Sequence, residues 1–200
     1  MREGLIFLLA APSGAGKSTI VKRVIFLLSD LKPVITYTTR DRRGDEVEEV
    51  DHHFVTTEEF ERMKSAGELA ESQTIFGHQY GSSRNRLESA IEQGVDLISD
   101  YDVLGSAALA DVYPRNVVTV FVWTPPEELR QRLIDRYGED SREIAMRVER
   151  QEMEMKRAPT FKYVVSNVDL SEAVCNVVSI VRAERCLASC DLILSQDQIL

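Results

Sequence analysis

The chain has 200 residues, of which 44% are hydrophobic and 28% charged, and its formal net charge is −9. That size accommodates one medium-sized domain with a substantial core and inserted lobes. The composition is that of a soluble globular protein, without an apolar run as long as a membrane span. The negative charge disfavours nucleic acid as a partner. Three cysteines without metal-ligand spacing favour reduced thiols and a cytoplasmic location.

Apolar runs, helical periodicity and helix caps predict the elements of the first half of the chain. The strongest signals are a buried run followed by a glycine-rich stretch and an amphipathic helix. The predicted elements are a strand at Leu5–Ala10, a helix at Gly16–Leu28, an extended piece at Val34–Thr36, a helix capped by Thr56 with Glu59 as its capping-box partner, and a helix at Arg84–Gln93.

The second half of the chain alternates more regularly between strands and helices. Its most apolar segment, VVTVFVW, predicts a fully buried strand. The predicted elements are a strand at Val95–Ser99 followed by Asp100, a strand at Val117–Trp123, a helix at Pro126–Arg136, a helix from Asp140 to Arg157, a strand at Tyr163–Ser166 and a helix at Ser171–Leu187, with the tail after Ser189 unassigned.

This alternation predicts a parallel sheet covered by helices on both faces. Ligands of such sheets bind beyond the carboxyl ends of the strands. Turns and charged residues interrupt the alternation at residues 36–83, and an arginine-rich pair of helices occupies residues 125–159. We therefore expect an α/β core of three layers, formed by residues 1–35, 84–124 and 160–200, with two inserted lobes.

The stretch APSGAGKST, residues Ala11–Thr19, lies between the first predicted strand and the first predicted helix. It fits the phosphate-loop pattern G-x-x-x-x-G-K-[ST], except that Ala11 takes the first glycine position. Backbone N–H groups of such a loop bind phosphate oxygens. Lys17 is predicted to reach the β- and γ-phosphates, and Ser18 to bind Mg²⁺. The predicted ATP-binding residues of the loop are Pro12, Ser13, Gly14, Ala15, Gly16, Lys17, Ser18 and Thr19.

The first inserted segment carries a second set of candidate ligand residues. Arg40 and Arg43 suit a phosphomonoester, because a guanidinium group pairs bidentately with phosphate oxygens. The Glu71 carboxylate can accept hydrogen bonds from N1–H and the amino group of guanine, whereas adenine presents no donor at N1. Asp100 follows a predicted strand, where an acid that binds Mg²⁺ directly or through water is expected.

These pieces together resemble the guanylate kinases, a family of nucleoside monophosphate kinases with a P-loop core. The resemblance is carried by APSGAGKST, TTRDRRGDE, ELAES followed by YGSS, DYDVLG, PPEELRQRLIDR, REIAMRVER and YVVSN, in the family's order. It implies that residues 36–83 form a GMP-binding lobe and that residues 125–159 form a lid that closes over ATP.

The resemblance also implies roles for single residues. Arg136 and Arg147 of the lid would neutralise the transferring phosphoryl group together with Lys17, and Asn167 would lie near a nucleotide base. The implied GMP-binding residues are Thr36, Glu71, Ser82 and Asp100 around guanine, and Arg40, Arg43, His52 and Tyr80 at the phosphate.

Several positions on the acceptor side depart from the family's pattern. His52 takes the place of a tyrosine that donates to the GMP phosphate; histidine can donate too, with a charge that responds near neutral pH. Asp45 and Glu49 stand where the family has glycines, and Leu104 stands where it has glutamine. These departures leave the donor loop untouched and bear on the affinity or identity of the acceptor.

The predicted reaction is reversible transfer of the γ-phosphoryl group of Mg-ATP to GMP or dGMP. Two alternatives stay open: a kinase of the same fold that phosphorylates a ribose bisphosphate, and a guanylate-kinase-like binding module without catalysis. Glu71, Tyr80 and Ser82 argue against the first, and the intact Lys17 and Ser18 argue against the second. The sequence leaves the oligomeric state open, with a homodimer as one option.

Overall fold

The structure is a computed structural model that describes residues 2–44, 46–137 and 142–187, without the side chains of residues 136–137, 142–146 and 149. Three sequence expectations therefore lie outside the described residues: the departure at Asp45, the helix cap at Asp140 and the tail after Ser189. Within the described ranges, no helix combines the length and the apolar character that crossing a membrane requires.

Strands and helices alternate along the described chain. The strands are β1 (Ile6–Ala10), β2 (Lys32–Pro33), β3 (Thr36–Thr38), β4 (His52–Phe54), β5 (Leu69–Ile75), β6 (His78–Ser83), β7 (Leu97–Tyr101), β8 (Val117–Trp123) and β9 (Tyr163–Ser166). The helices are α1 (Lys17–Leu27), α2 (Thr57–Ser65), α3 (Arg84–Glu92), α4 (Val103–Val112), α5 (Pro126–Tyr137), α6 (Arg142–Lys156) and α7 (Leu170–Glu184), with a 3-10 turn at Ala158–Thr160.

The central sheet has the strand order β2-β7-β1-β8-β9, and its paired strands are parallel. Side chains of β1 alternate between the two faces of the sheet. Phe7 and Leu9 pack in an apolar cluster with α1 and α7, whereas Ile6 and Leu8 pack in another with α3 and α4. The predicted α/β core of three layers is thereby confirmed. Because the strands are parallel, their carboxyl ends meet at one edge of the sheet.

Residues 36–83 contribute a second sheet of four strands in the order β4-β3-β6-β5. β5 and β6 form an antiparallel hairpin, and α2 packs Phe60 and Met63 against Leu69 of β5. Beyond Thr36 the sequence predicts none of these strands. β5 and β6 carry the segments LAESQTI and HQYGSS, whose polar side chains line a cleft and hide the alternation that a strand on an apolar core would have.

The predicted core elements are confirmed, with shifted ends. β7 spans Leu97–Tyr101 and not Val95–Ser99, because its register pairs Leu97 with Ile6 of β1. Asp100 consequently lies inside the strand and not after it. Thr56 caps α2 as predicted, accepting from the backbone N–H of the third helical residue at 3.2 Å. The division into core, lobe and lid at the stated boundaries stays a prediction.

Candidate active site

A cleft of about 420 Å³ opens at the carboxyl ends of β1 and β7. The loop after β1 forms one wall, the second sheet forms the opposite wall, and α6 covers the space between them. Most of the predicted side chains meet in this cleft, and Ser82 lies directly behind Glu71. The predicted residues that line it are Ser13, Lys17, Ser18, Thr36, Arg40, Arg43, His52, Glu71, Tyr80, Asp100 and Arg147.

The loop between β1 and α1 has the backbone shape that the phosphate-loop pattern requires. Gly14 and Gly16 have φ angles of 90° and 85°, which residues with side chains rarely adopt. At Gly16 an added Cβ would also lie 2.7 Å from Asn167 Nδ2. Ala11 lacks a positive φ and is buried, which explains why alanine is accepted at the first position of the pattern.

Lys17 lies beneath this loop. Its Nζ donates to the carbonyl oxygens of Ala11 at 2.7 Å and Pro12 at 3.2 Å. Burial lowers the pKa of Lys17, and the carboxylates of Asp100 and Glu154 act in the opposite direction. An ammonium group held at a loop of backbone N–H groups is suited to bind the β- and γ-phosphates of a nucleotide.

Side chains from the C-terminal part of the chain fix the loop in place. Asn167 Nδ2 donates to the carbonyl oxygen of Ala15 at 2.6 Å, and Arg147 Nη1 donates to Ser13 Oγ at 3.0 Å. Asn167 is almost fully buried and therefore supports the loop from below. Its predicted contact with a nucleotide base stays a prediction.

Ser18 and Asp100 form a pair of oxygen groups at the end of the donor loop. Ser18 Oγ donates to Asp100 Oδ2 at 2.6 Å, and both side chains are exposed to the cleft. Among the described side chains, no group of three or more His, Cys, Asp or Glu residues could hold a metal ion. A hydroxyl and one carboxylate nevertheless fit Mg²⁺, which commonly takes its other ligands from phosphate and water.

Glu71 lies on the opposite wall, in β5. It is 9% exposed, and its Oε1 accepts from Ser82 Oγ at 2.9 Å. Ser82 Oγ also contacts the hydroxyl of Tyr101. Burial raises the pKa of Glu71 to about 7, and the nearby Asp102 carboxylate acts in the same direction. A buried carboxylate that accepts from one hydroxyl has lone pairs left for the donors of a ligand.

Arg40 and Arg43 form a cationic region on the same wall. Arg40 pairs bidentately with Glu46, at 2.7 Å and 2.8 Å, and its Nε donates to the Tyr80 hydroxyl at 3.1 Å. The hydrogen bonds from Arg40 lower the pKa of Glu46 to about 2. Arg43 is exposed and lines the cleft. A fixed guanidinium beside an exposed one suits a phosphomonoester.

His52 occupies the neighbouring strand β4. Its Nδ1 lies 2.8 Å from Thr36 Oγ1, and its ring stands edge-on to Tyr80 with 6.1 Å between centroids. Burial lowers the pKa of His52, and the positive charge of Arg40 adds to that effect. The imidazole is therefore mainly neutral near pH 7 and can donate one ring N–H to a ligand.

The two predicted lid arginines differ in what the structure describes. Arg147 of α6 is 8% exposed and faces the donor loop. Arg136 belongs to α5, and its side chain lies outside the described residues. A role of either residue in catalysis stays a prediction.

Four charged residues of the cleft are not assigned to it from the sequence: Glu46, Asp102, Arg150 and Glu154. Asp102 Oδ1 caps α4 by accepting from the N–H of Gly105 at 2.6 Å. It stands two residues after Asp100, a spacing that directs both side chains toward one face of an extended segment. Arg150 donates to Glu154 at 2.8 Å and follows Arg147 by one helical turn on α6. The helical spacing between Arg147 and Arg150 was the signal in the sequence that could have placed Arg150 in the cleft.

A parallel sheet whose first strand leads into a lysine-bearing phosphate loop defines the P-loop nucleotide-binding proteins. A second polar pocket that faces this loop is what a kinase of a phosphorylated small molecule requires. A family model described as guanylate kinase matches residues 3–184. The chain therefore belongs to the guanylate kinase family, and the predicted class, an ATP-dependent nucleoside monophosphate kinase, is confirmed.

Sequence and structure matches to individual relatives extend over most of the length of both chains. The guanylate kinase of Syntrophotalea carbinolica is 38% identical over 94% of this chain and 90% of the relative. That of Thermotoga maritima is 37% identical over 92% of this chain and 88% of the relative. The crystal structure of guanylate kinase from Anaplasma phagocytophilum superposes with a TM-score of 0.82 at 27% identity, covering 100% of this chain and 98% of the other.

Proposed function

We propose that this protein reversibly transfers the γ-phosphoryl group of Mg-ATP to GMP or dGMP, giving ADP and the corresponding diphosphate. One arrangement carries the proposal: Lys17 lies on one wall of a single cleft, and Glu71 and Arg40 lie on the other. A triphosphate on the donor loop and a guanine monophosphate on the second sheet would meet between these walls. Membership of the guanylate kinase family supports the same reaction.

The donor phosphates would bind the backbone N–H groups of residues 12–19 and the ammonium group of Lys17. Ser18 and Asp100 would hold Mg²⁺, Asp100 either directly or through water. When bound, the ion neutralises charge on the phosphate oxygens. Asn167 would act mainly by keeping the loop in the shape that receives the phosphates.

The acceptor would be recognised at both of its ends. Ionised Glu71 would accept from N1–H and the amino group of guanine, with Ser82 and Thr36 beside it. Adenine lacks the N1–H donor and would leave the buried carboxylate unsatisfied, which is costly. Four residues would bind the phosphate: Arg40, Arg43, His52 and Tyr80.

The chemical step needs positioning and charge neutralisation. An ionised oxygen of the acceptor phosphate attacks the γ-phosphorus, the bond to the β,γ-bridging oxygen breaks, and ADP leaves with that electron pair. The nucleophile is already ionised, so no general base is needed. Lys17 and Arg147, with Arg136 from α5, would stabilise negative charge on the transferring group. Closure of residues 125–159 over the donor would exclude water and limit hydrolysis.

A coupled assay of ADP release tests this function, with GMP, dGMP, AMP, CMP, UMP and a ribose bisphosphate as acceptors. We expect turnover with GMP and dGMP at least about 100-fold above that with AMP. Turnover with the sugar phosphate alone would indicate the related kinase. Mg-ATP titration by calorimetry covers the remaining case, because absence of both ATP binding and turnover would indicate a binding module.

A further inference from the structure

The hairpin between β5 and β6 ends in a tight turn formed by Phe76 and Gly77. Ile75 pairs with His78, and the two residues between them have φ angles of 50° and 82°. Two-residue hairpin turns with positive φ at both positions favour asparagine, aspartate or glycine at the first position. An aromatic residue is strained there, and such strain is kept where the surroundings make use of the side chain.

The Phe76 ring contacts α6, the helix that covers the cleft. Arg147 Cζ lies 4.5 Å and Arg150 Cζ 5.3 Å from the ring centroid, both within the range of a cation–π interaction. Arg147 and Arg150 stand one turn apart on α6, so a single ring at the tip of the second sheet touches both guanidinium groups. This contact joins the acceptor wall of the cleft to the helix that covers it.

Arg147 binds two parts of the cleft in different ways. Its guanidinium faces the Phe76 ring, while its Nη1 at the edge donates to Ser13 Oγ of the donor loop at 3.0 Å. A guanidinium that stacks through its face keeps the N–H groups at its edge directed outward. The contact with Phe76 therefore helps to hold the edge of Arg147 toward Ser13 and the donor loop.

We propose that Phe76 is a positioning residue that fixes Arg147 and Arg150 over the donor loop and so couples the acceptor-binding sheet to the lid. Acceptor binding to β5 and β6 would hold the hairpin, and the hairpin would hold the lid arginines in their working orientation. This inference rests on the proposed phosphoryl transfer, because Arg147 acts on the transferring group.

Three variants of Phe76 separate this role from simple packing. Phe76→Leu keeps an apolar side chain without a π face, and kcat with GMP should fall roughly 5- to 30-fold, as expected for loss of two cation–π contacts. Phe76→Tyr keeps the ring and should stay within about threefold of the wild type. Phe26→Leu on α1 is the matched control, since Phe26 is 86% exposed and does not line the cleft.

Phe76→Asn is the most discriminating variant, because asparagine is favoured in the left-handed turn. We expect its melting temperature to equal or exceed that of the wild type while kcat falls as in Phe76→Leu. A parallel fall in melting temperature and kcat would assign Phe76 a structural role and overturn the proposal. Wild-type kcat in Phe76→Leu, or equal losses in the leucine and tyrosine variants, would also overturn it.

The contact itself can be measured without turnover. Arginine side-chain NMR spectra should show ring-current shifts for two guanidinium groups in the wild type and in Phe76→Tyr, and these shifts should disappear in Phe76→Leu. Arg150→Lys assigns one of the two signals. If the wild-type spectra show these ring-current shifts but the protein does not phosphorylate GMP, the proposed function alone is refuted. If the arginine signals are not shifted, the positioning role is refuted.

Discussion

On the donor side of the cleft, one continuous loop supplies nearly all of the groups that would meet phosphate, and most of them are backbone N–H groups. On the acceptor side, the polar groups are side chains that come from β3, β4, β5 and β6. The donor loop is fixed by Gly14, Gly16 and a buried asparagine behind it. The side chains on the acceptor side are held in place by hydrogen bonds to one another.

The internal pairing on the acceptor side has a chemical consequence. Arg40 holds Glu46, Thr36 meets His52, and Ser82 donates to Glu71, so the acceptor wall already contains its own network. A ligand must add to that network or replace parts of it. Two of its members can change protonation between acidic and neutral pH: Glu71, whose pKa is raised to about 7, and His52, whose pKa is lowered by burial. Backbone N–H groups do not titrate, so we expect the acceptor side to carry the protein's own pH dependence.

The largest effect should come from the donor side. Lys17→Met removes the cation beneath the phosphate loop, and kcat should fall about 1,000-fold because negative charge on the transferring group is no longer neutralised. The dissociation constant for GMP, measured by calorimetry, should change by about twofold or less, since Lys17 Nζ donates to Ala11 and Pro12 of the donor loop.

Lys64→Met is the matched control, because Lys64 is exposed on α2 and does not line the cleft. Weakened GMP binding in Lys17→Met, with normal binding in the control, would show that the donor and acceptor sides are energetically coupled.

Glu71→Gln tests the acceptor side with a somewhat smaller effect. The amide keeps the shape of the carboxyl and offers one acceptor where guanine presents two donors, so kcat/KM for GMP should fall about 100-fold. ATP affinity should be unchanged. Glu58→Gln on α2 is an exposed control. Equal losses of affinity for GMP and for ATP in Glu71→Gln would show that the acceptor side and the donor side do not bind their nucleotides independently.

The same contrast explains how far the sequence alone predicts this protein. The donor loop is local in sequence, so nine consecutive residues predict its backbone, its lysine and its hydroxyl. The apolar strands β1, β7 and β8 were equally predictable, although the register of β7 shifted Asp100 into the strand. The edge strand β2, with exposed Lys32 and Pro33, was not predicted. Side-chain chemistry indicated Arg40 and Glu71 as candidate ligand residues, and the family resemblance placed them with Tyr80 in one site, which no local pattern does.

Several features depend on pairing between distant segments. The hydroxyl of Tyr101 against Ser82 and Phe76 against α6 each follow from the packing of strands and helices that are separated in the chain. The strands β5 and β6 of the second sheet carry polar side chains that line the cleft. Function has thus removed the hydrophobic alternation that would have predicted them.

The pH dependence of GMP binding should be roughly tenfold. In the proposed complex guanine binds to ionised Glu71, whose pKa is about 7 in the free protein, so GMP affinity should rise about tenfold between pH 6 and pH 8 with release of a proton. Calorimetry in buffers of different ionisation enthalpy measures that proton. The raised pKa of Glu71 affects folding stability in the opposite direction. Its contribution to the stability of the folded state is complete below the ordinary pKa of glutamate and is lost as pH rises through about 7.

Glu71→Gln is the control for this titration, because the variant keeps the other ionisable groups of the cleft and the acceptor phosphate. Its GMP affinity should lose the rise between pH 6 and pH 8. A rise of the same size in wild type and variant would assign the titration to the phosphate or to another side chain.

The smallest expected effect concerns His52. His52→Tyr replaces one hydrogen-bond donor with another, so KM for GMP at pH 8 should change by about threefold or less. Burial and Arg40 lower the pKa of His52, so its imidazolium forms only under acidic conditions. Under those conditions the KM of the wild type for GMP should fall relative to that of the tyrosine variant.

Comparison of the two proteins at equal pH cancels protonation of the GMP phosphate, which is common to both. A KM ratio that stays constant down to about pH 5.5 would mean that His52 binds as a neutral donor throughout. Glu71 would then be the only side chain of the two whose titration distinguishes the acceptor wall from the donor loop.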